Sequence, residues 1–218
     1  MPHLNDLTAL ALPNGSRLVA DETPSRLHLS LAGQPLIELH LAREPEIMVQ
    51  VEQRFDTSEA QALWAACYWL FARDPACQHL TFQLPQSPTD ALASGLLIAT
   101  DTTGQYRCER TLFWQLAQPW LSQALTGLYP QQMVISGGKR HPLRPIKPRG
   151  EVYRRFDARL GAWVSLRAVD IDLDLARFNR WQNSPRVASF WQEEGSLEQH
   201  REYLGKLEAD PHTLTLIG

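Results

Sequence analysis

The sequence has few cysteines and no long apolar run. Its 218 residues include 3 cysteines whose spacing matches no metal site: Cys67, Cys77 and Cys108. An odd number of cysteines argues against a disulfide framework and favours a reducing compartment. No stretch approaches the roughly 18 uninterrupted apolar residues that span a membrane, and no basic region precedes the short apolar run at the N-terminus. The sequence therefore predicts a mature cytoplasmic protein with no membrane partner.

Excess charge and the common catalytic motifs are also lacking. The formal net charge is -3, so an attraction of the whole chain to nucleic acid is not expected. The Walker phosphate loop, the dinucleotide-binding glycine pattern, the HExxH zinc motif and the GxSxG nucleophile motif are absent. Gly137-Gly138-Lys139 is no phosphate loop, because Pro142 and Pro145 prevent a helix from following it. No metal site is predicted.

Local patterns in the first half predict a layered α/β domain over residues 1–126. The elements follow in the order β-β-β-α-β-α-β: strands at 27–31, 36–41 and 47–51, a helix from 59 to 74, a strand at 79–84, a helix from 90 to 98 and a strand at 106–116. Thr57 or Ser58 is the expected N-cap of the first helix. Strand–helix–strand units indicate parallel pairing of their strands.

Residues 127–150 differ in composition and predict a linker. Four prolines and four glycines leave no room for a long regular element. Five basic residues make the segment locally positive: Lys139, Arg140, Arg144, Lys147 and Arg149. They suit either an anion-binding strap or an extended, solvated linker, and the proline content favours the linker.

A second unit is predicted over residues 151–218. A strand at 163–169 precedes a helix whose N-cap is Asp170 or Asp172. Ser184-Pro185 begins a second helix, because proline is favoured at the first helical position. A capping box at Ser196 to Gln199 begins a third helix, which ends at Asp210-Pro211, and a strand is expected at 212–218.

The segment 177–200 is the candidate binding site. Asn183 offers directional hydrogen bonds, Arg186 offers a fixed positive charge, and Phe190 and Trp191 offer flat apolar walls. The adjacent glutamates at 193 and 194 suit an ammonium group. The alternative is that the aromatic residues are core, that Asn183 only ends a helix and that both glutamates are solvated; pattern alone favours this alternative. A packing role is also the interpretation of His200, which shares a helical face with leucines.

Residues 150–204 resemble the opening of the catalytic domain in siderophore-biosynthetic acyltransferases of the aerobactin N-hydroxylysine acetyltransferase type, which belong to the GNAT superfamily. The resemblance rests on GEVYRR at 150–155, Leu166-Arg167, WQNSPRV at 181–187, Phe190-Trp191 and GSLE at 195–198. Family members more often have Asp where this chain has Ser184, and both residues are good N-caps.

The resemblance implies two tandem GNAT-like domains. The first is expected to be degenerate, because its strand-to-helix junction VEQRFDTSEAQ has none of the glycines that cradle the coenzyme A pyrophosphate in the family. The second is expected to be incomplete, so that the chain is a truncated form. The site of the acyl-CoA co-substrate, commonly acetyl-CoA, is then expected beyond Gly218, and no catalytic residue is assigned.

The reaction implied by the resemblance is transfer of an acetyl or other short acyl group from acyl-CoA to an N-hydroxylated amine such as N-hydroxylysine. On this basis Asn183, Arg186, Phe190, Trp191 and Glu194 are expected on the acceptor side of the site. Other siderophore-assembly enzymes are the expected protein partners. The alternative is a non-catalytic binding or regulatory module on a degenerate GNAT scaffold.

Overall fold

The computed structural model describes residues 8–117, 119–121 and 131–218. Residues 1–7, 118 and 122–126 of the predicted first domain and 127–130 of the predicted linker lie outside the described residues. The described strands are β1 Ala9–Ala11, β2 Arg17–Glu22, β3 Arg26–Leu31, β4 Gln34–Ala42, β5 Met48–Arg54, β6 His79–Gln83, β7 Ile98–Ala99, β8 Gln105–Glu109, β9 Met133–Ser136, β10 Lys139–Pro142, β11 Glu151–Asp157, β12 Ala162–Ala168 and β13 Leu216–Ile217. The described helices are α1 Glu59–Arg73, α2 Thr89–Ala93, α3 Arg110–Phe113, α4 Ile171–Gln182, α5 Pro185–Trp191 and α6 Leu197–Ala209.

The chain divides into two compact units. The first unit holds the residues up to 120 together with 155–164, and the second holds 121–154 and 165–218. The predicted boundaries at 126 and 150 stay a prediction. None of the helices in the described part of the chain is long and apolar enough to cross a bilayer.

The described residues of the first unit form a mixed sheet in the order β1-β2-β3-β4-β5-β6-β8-β7. The strands predicted at 27–31 and 36–41 are confirmed and pair as the β3–β4 hairpin: its turn residues Ala32 and Gly33 have φ angles of 51° and 82°, the left-handed pair of a type I′ turn. The predicted start of α1 is also confirmed, because the Ser58 hydroxyl accepts a hydrogen bond from the backbone N–H of Gln61 at 3.2 Å.

Within the described sheet of the first unit only β5 and β6 pair in parallel, whereas β6 and β8 are antiparallel, so the expectation for the later strands is wrong. The predicted helix from 90 to 98 ends at Ala93, because Gly95 has a φ angle of 76° and turns the chain into β7. The predicted strand at 106–116 ends at Glu109. There the Arg110 N–H donates to the Gln78 carbonyl at 2.8 Å and the chain turns into the short helix α3.

The core of the first unit is aromatic and centres on α1. Tyr68, Trp69 and Phe71 are fully buried on this helix. Trp120 packs edge-on against Tyr68 with ring centroids 5.1 Å apart, and it lies 5.8 Å from Trp114. Burial of such large apolar areas is the main source of stability for a layer of this kind.

The second unit contains helices α4, α5 and α6 and the pairing of β12 with β13. The pairing is antiparallel and sets Arg167 opposite Ile217, so the strand predicted at 212–218 is shortened to its last residues. The predicted N-caps Asp170 and Ser196 are confirmed, and the Ser196–Gln199 capping box is complete. Proline occupies the first position of α5 as predicted.

The basic segment is partly structured. Residues 133–136 and 139–142 pair as a small hairpin. Lys147 Nζ donates to the carbonyls of Leu207 and Glu208, both at 2.8 Å, and Arg149 lies 3.6 Å from the Glu208 carboxylate. These cations therefore sit at the C-terminus of α6, the negative end of the helix dipole.

Lys147→Met is expected to lower the free energy of unfolding by about 1 kcal/mol, because two carbonyls at the end of α6 lose a charged donor. Urea denaturation measures this loss. Lys139→Met, which removes an exposed lysine from the same basic segment, is the matched control and should change stability little. Equal effects of the two substitutions would contradict a capping role for Lys147.

Candidate functional site

The start of α4 is fixed by a part-buried ion pair between Arg167 and Asp174. Asp174 is only 2% exposed and receives two hydrogen bonds from the Arg167 guanidinium, at 2.6 and 2.5 Å. The Asp170 N–H donates to the same carboxylate at 3.0 Å. The hydrogen bonds from Arg167 lower the pKa of Asp174 below its usual value against the opposing effect of burial. The pair joins β12 to the first turn of the helix that carries the candidate site.

The turn between α5 and α6 is held by a hydrogen-bonded network that we name the α4–α6 latch. It consists of the side chains of Asn179, Asn183 and His200 and the backbone of Glu193 and Gly195. Asn183 Oδ1 accepts from the Gly195 N–H at 3.0 Å, and its Nδ2 donates to the Gly195 carbonyl at 2.9 Å. Asn179 Nδ2 donates to the same carbonyl at 3.0 Å. The amide of Asn183 is therefore committed to shaping the turn.

His200 completes the latch from α6. Its Nδ1 lies 2.8 Å from Asn179 Nδ2, which is a donor, and its Nε2 lies 2.9 Å from the Glu193 carbonyl, which is an acceptor. The neutral ring with its proton on Nε2 satisfies both contacts. His200 is 5% exposed and packs edge-on against Phe178 with centroids 5.3 Å apart. The interpretation of His200 as a packing residue is confirmed.

Backbone geometry at the turn explains its residues. Gln192 ends α5 in the left-handed conformation with a φ angle of 55°. A Cβ at Gly195 would lie 3.1 Å from Gln199 Oε1 and 3.3 Å from His200 Nε2. A side chain at this position would therefore crowd two members of the turn, and glycine leaves both of them room to approach.

The candidate aromatic residues are exposed rather than buried. Phe190 is 77% and Trp191 64% exposed, and their rings meet edge to face with centroids 5.3 Å apart. Ala188 is instead the buried residue of α5, so the alternative that Phe190 and Trp191 are core is wrong. Exposed apolar side chains that contact each other often mark a binding surface. We name this pair of rings the aromatic wall.

The charged candidates are also at the surface. Arg186, Glu193 and Glu194 are all exposed. Within the described ranges, no ion pair joins Arg186 or Glu194 to another side chain. The structure thus places Phe190 and Trp191 in contact, ties Asn183 to Gly195, and leaves the charges of Arg186 and Glu194 open to a ligand.

Sequence reasoning missed Asn179 and the Arg167–Asp174 pair. The signal for Asn179 was its position four residues before Asn183, which sets both amides on one face of α4. The signal for the ion pair was weaker, since three aspartates near the start of α4 all suit a first helical turn.

The strand-to-helix junction of the first unit does not fit a pyrophosphate group. The Thr57 N–H donates to the Phe55 carbonyl at 2.7 Å, and the Gln61 N–H donates to the Ser58 hydroxyl, so neither N–H is free to bind a phosphate oxygen. Glu59 adds a negative charge to the first turn of α1. In addition, the residues described here contain no group of three or more His, Cys, Asp or Glu side chains able to hold a metal ion.

Comparison with known proteins finds a family match within the second unit. Residues 170–218 match the acetyltransferase (GNAT) domain, which covers α4, α5, α6 and β13. An N(6)-hydroxylysine O-acetyltransferase from Escherichia coli is 41% identical over 111 residues, which are 50% of this chain and 35% of that relative. A hydroxyornithine transacylase from Ajellomyces capsulatus is 29% identical over 198 residues, covering 71% of this chain and 45% of its own length.

A third relative is an N(5)-hydroxyornithine:cis-anhydromevalonyl coenzyme A-N(5)-transacylase from Beauveria bassiana. It is 46% identical over 81 residues, which are 35% of this chain and 18% of that protein. The chain thus spans less than half the length of these relatives. Residues 170–218 thus match a GNAT acetyltransferase domain, and the chain is similar to acyltransferases named for hydroxylysine and hydroxyornithine.

Proposed function

We propose that the protein is an N-acyltransferase of hydroxamate siderophore biosynthesis, which moves an acetyl or other short acyl group from acyl-CoA to an N-hydroxylated amine such as N-hydroxylysine. The observation that carries the proposal is the coincidence of the GNAT match with the candidate site: residues 170–218 contain the latch, the aromatic wall and both open charges. The names of the relatives combine hydroxylated amino acids with acyl transfer, which supports acyl transfer to a hydroxylated amine.

The acyl-CoA supplies a thioester whose carbonyl carbon is the electrophile. In the proposed reaction the hydroxylamine nitrogen forms the new C–N bond, the C–S bond breaks, and the leaving thiolate takes up the proton lost from nitrogen to give the free thiol of coenzyme A. A hydroxylated amine is a good nucleophile that is mostly unprotonated near neutral pH. Positioning of the acceptor therefore contributes a large part of the rate.

The second unit is proposed to supply that positioning. Phe190 and Trp191 form an apolar wall for the methylene chain of the acceptor, and Arg186 offers a bidentate partner for its carboxylate. Glu194 offers a partner for its α-ammonium group. Asn183 acts through the turn: its hydrogen bonds to Gly195 fix the chain that leads from the aromatic wall to Glu194.

The proposal is tested with the protein as its own gene encodes it, incubated with acetyl-CoA and N6-hydroxylysine. Release of coenzyme A thiol together with a ferric-hydroxamate colour is expected, because only the N-acyl product chelates Fe³⁺ through both oxygens. Lysine is the control acceptor and should give neither signal. Thiol release without colour would indicate O-acylation, and binding of hydroxylysine without thiol release would favour a binding module; either outcome overturns the proposal.

Phe190→Ala combined with Trp191→Ala is expected to raise the KM for the hydroxylated amine about tenfold, since the apolar contact of the methylene chain is lost. Steady-state kinetics measures this change. Leu173→Ala is the matched control, because Leu173 is 75% exposed on α4 and lies outside the proposed site. Both variants should keep the stability of the unchanged protein. An unchanged KM in the double variant would remove the aromatic wall from the acceptor site.

A further inference from the structure

A cavity lies in the first unit, and none of its lining residues belongs to the GNAT match. We name it the arginine cavity; its volume is about 340 Å³. Its polar lining comes from α3, β11 and the turn after β11, and the lining residues that matter here are Arg110, Trp114, Arg155, Asp157 and Arg159. We propose that the arginine cavity binds the phosphate group of a small molecule.

The most informative side chain is Arg155. Its guanidinium lies over the Trp114 ring, 4.4 Å from the centroid, and is 3.8 Å from the Asp157 carboxylate. The side chain is only 25% exposed, yet no hydrogen bond joins it to any described residue, and its Nε is buried without a partner. A mostly buried guanidinium carries five N–H donors whose desolvation costs free energy unless an acceptor is supplied. A ligand anion in the cavity would supply one.

Two further cations face the same space. One terminal nitrogen of Arg110 donates hydrogen bonds at the C-terminus of α1, to the carbonyls of Phe71 at 2.9 Å and Asp74 at 3.0 Å. Burial is the main cause that lowers the pKa of Arg110; Asp74 opposes this effect, while the charges of Arg159 and Arg155 lower the pKa further. All three arginines line the same cavity, so an anion there would be attracted by three positive charges.

The single carboxylate in the lining, that of Asp157, does not neutralise the positive charge of the arginines. Asp157 Oδ1 accepts the N–H groups of Arg159 at 3.0 Å and Leu160 at 3.2 Å, so it already holds the turn. Its ion-pair distances to Arg155 and Arg159 are long, at 3.8 and 3.7 Å. The cavity thus has three positive charges against one negative charge in its lining.

A phosphate group suits this arrangement better than a carboxylate group. Three guanidinium groups from different elements present donors in more directions than the two oxygens of a carboxylate can meet. A phosphate offers three or four oxygens and up to two negative charges, which match the charge excess. The inference is independent of the acyltransferase proposal, because the cavity shares no residue with the proposed acceptor site.

The test is isothermal titration of the full chain with inorganic phosphate at constant ionic strength, with acetate and chloride in parallel. Saturable phosphate binding that is at least about tenfold tighter than acetate binding is expected, given the additional charge-assisted hydrogen bonds. Absence of saturable phosphate binding would overturn the proposal. Acetate that binds as tightly as phosphate would also overturn it, by showing no preference for the phosphate group.

Two substitutions with opposite expected signs locate the site. Arg159→Gln should weaken phosphate binding about tenfold, because it removes one charged donor. Arg26→Gln is the matched control: Arg26 is 59% exposed, Arg159 is 63% exposed, and each has an ion-pair distance near 4 Å. Asp157→Asn should instead tighten binding, since it removes the competing negative charge and keeps an oxygen for the turn. Equal binding in Arg159→Gln and Arg26→Gln would contradict the assignment to this cavity.

Discussion

Replacing Asp174 with alanine is expected to lower the free energy of unfolding by about 2 kcal/mol. The carboxylate is 2% exposed and accepts hydrogen bonds from both terminal nitrogens of Arg167 and from the Asp170 N–H. Its removal leaves the Arg167 guanidinium without its partner in a part-buried position. The expected loss is smaller than for a fully buried pair, because the Arg167 side chain is 35% exposed and water can solvate it. Urea denaturation followed by circular dichroism measures the loss.

Asp174→Asn removes the charge of the side chain and keeps its shape, so comparison with the unchanged protein gives the pH dependence of the stabilisation by that charge. Arg167 lowers the pKa of Asp174 in the folded protein, so the stabilisation is fully present above the unfolded pKa, near pH 4, and is lost as pH falls through the folded pKa. The difference in unfolding free energy between the unchanged protein and Asp174→Asn should therefore be largest above about pH 4 and shrink below it. A difference that stays constant from pH 7 to pH 3 would show that the Asp174 charge makes no net contribution.

Elements whose signals are local were predictable from the sequence. Ser58, Asp170 and Ser196 cap their helices through side chains that reach backbone groups two or three residues away. The β3–β4 turn depends on the conformational freedom of two adjacent residues. In each case the partner lies within the same short segment, so no knowledge of the tertiary fold was needed.

Elements set by distant partners were not predictable. The strand expected at 106–116 ends early because Arg110 reaches carbonyls 33 to 39 residues before it in the chain. The alternating pattern up to Leu116 contains no sign of these contacts. Burial also differed from the pattern: Phe190 and Trp191 have the spacing of a packed face but no described neighbour covers them.

The sequence located the segment that contains the candidate site, but it did not show which residue contacts a ligand and which residue holds the turn. The segment 177–200 does contain the latch, the aromatic pair and the open charges. However, the side chain of Asn183 turns toward Gly195, twelve residues later, and its role depends on a turn whose closure brings the two together. The division between residues that contact a ligand and residues that hold the turn is a property of the tertiary structure.

The largest loss of stability is expected at the latch, where His200→Ala should lower the free energy of unfolding by about 3 kcal/mol. The substitution leaves a cavity beside Phe178 and removes the partners of Asn179 Nδ2 and the Glu193 carbonyl. His200→Leu fills the space without restoring either hydrogen bond, and the expected loss is about 2 kcal/mol. Urea denaturation of the two variants therefore separates packing from hydrogen bonding.

The same substitutions connect the latch to the proposed function. If the latch positions the turn that leads to Glu194, His200→Leu should raise the KM for the hydroxylated amine even at temperatures where the variant is fully folded. A variant as stable as the unchanged protein would show that the two hydrogen bonds of His200 contribute nothing net, because water satisfies their partners equally well. A destabilised variant with an unchanged KM would restrict the latch to folding, and the open charges of Arg186 and Glu194 would then orient the acceptor without it.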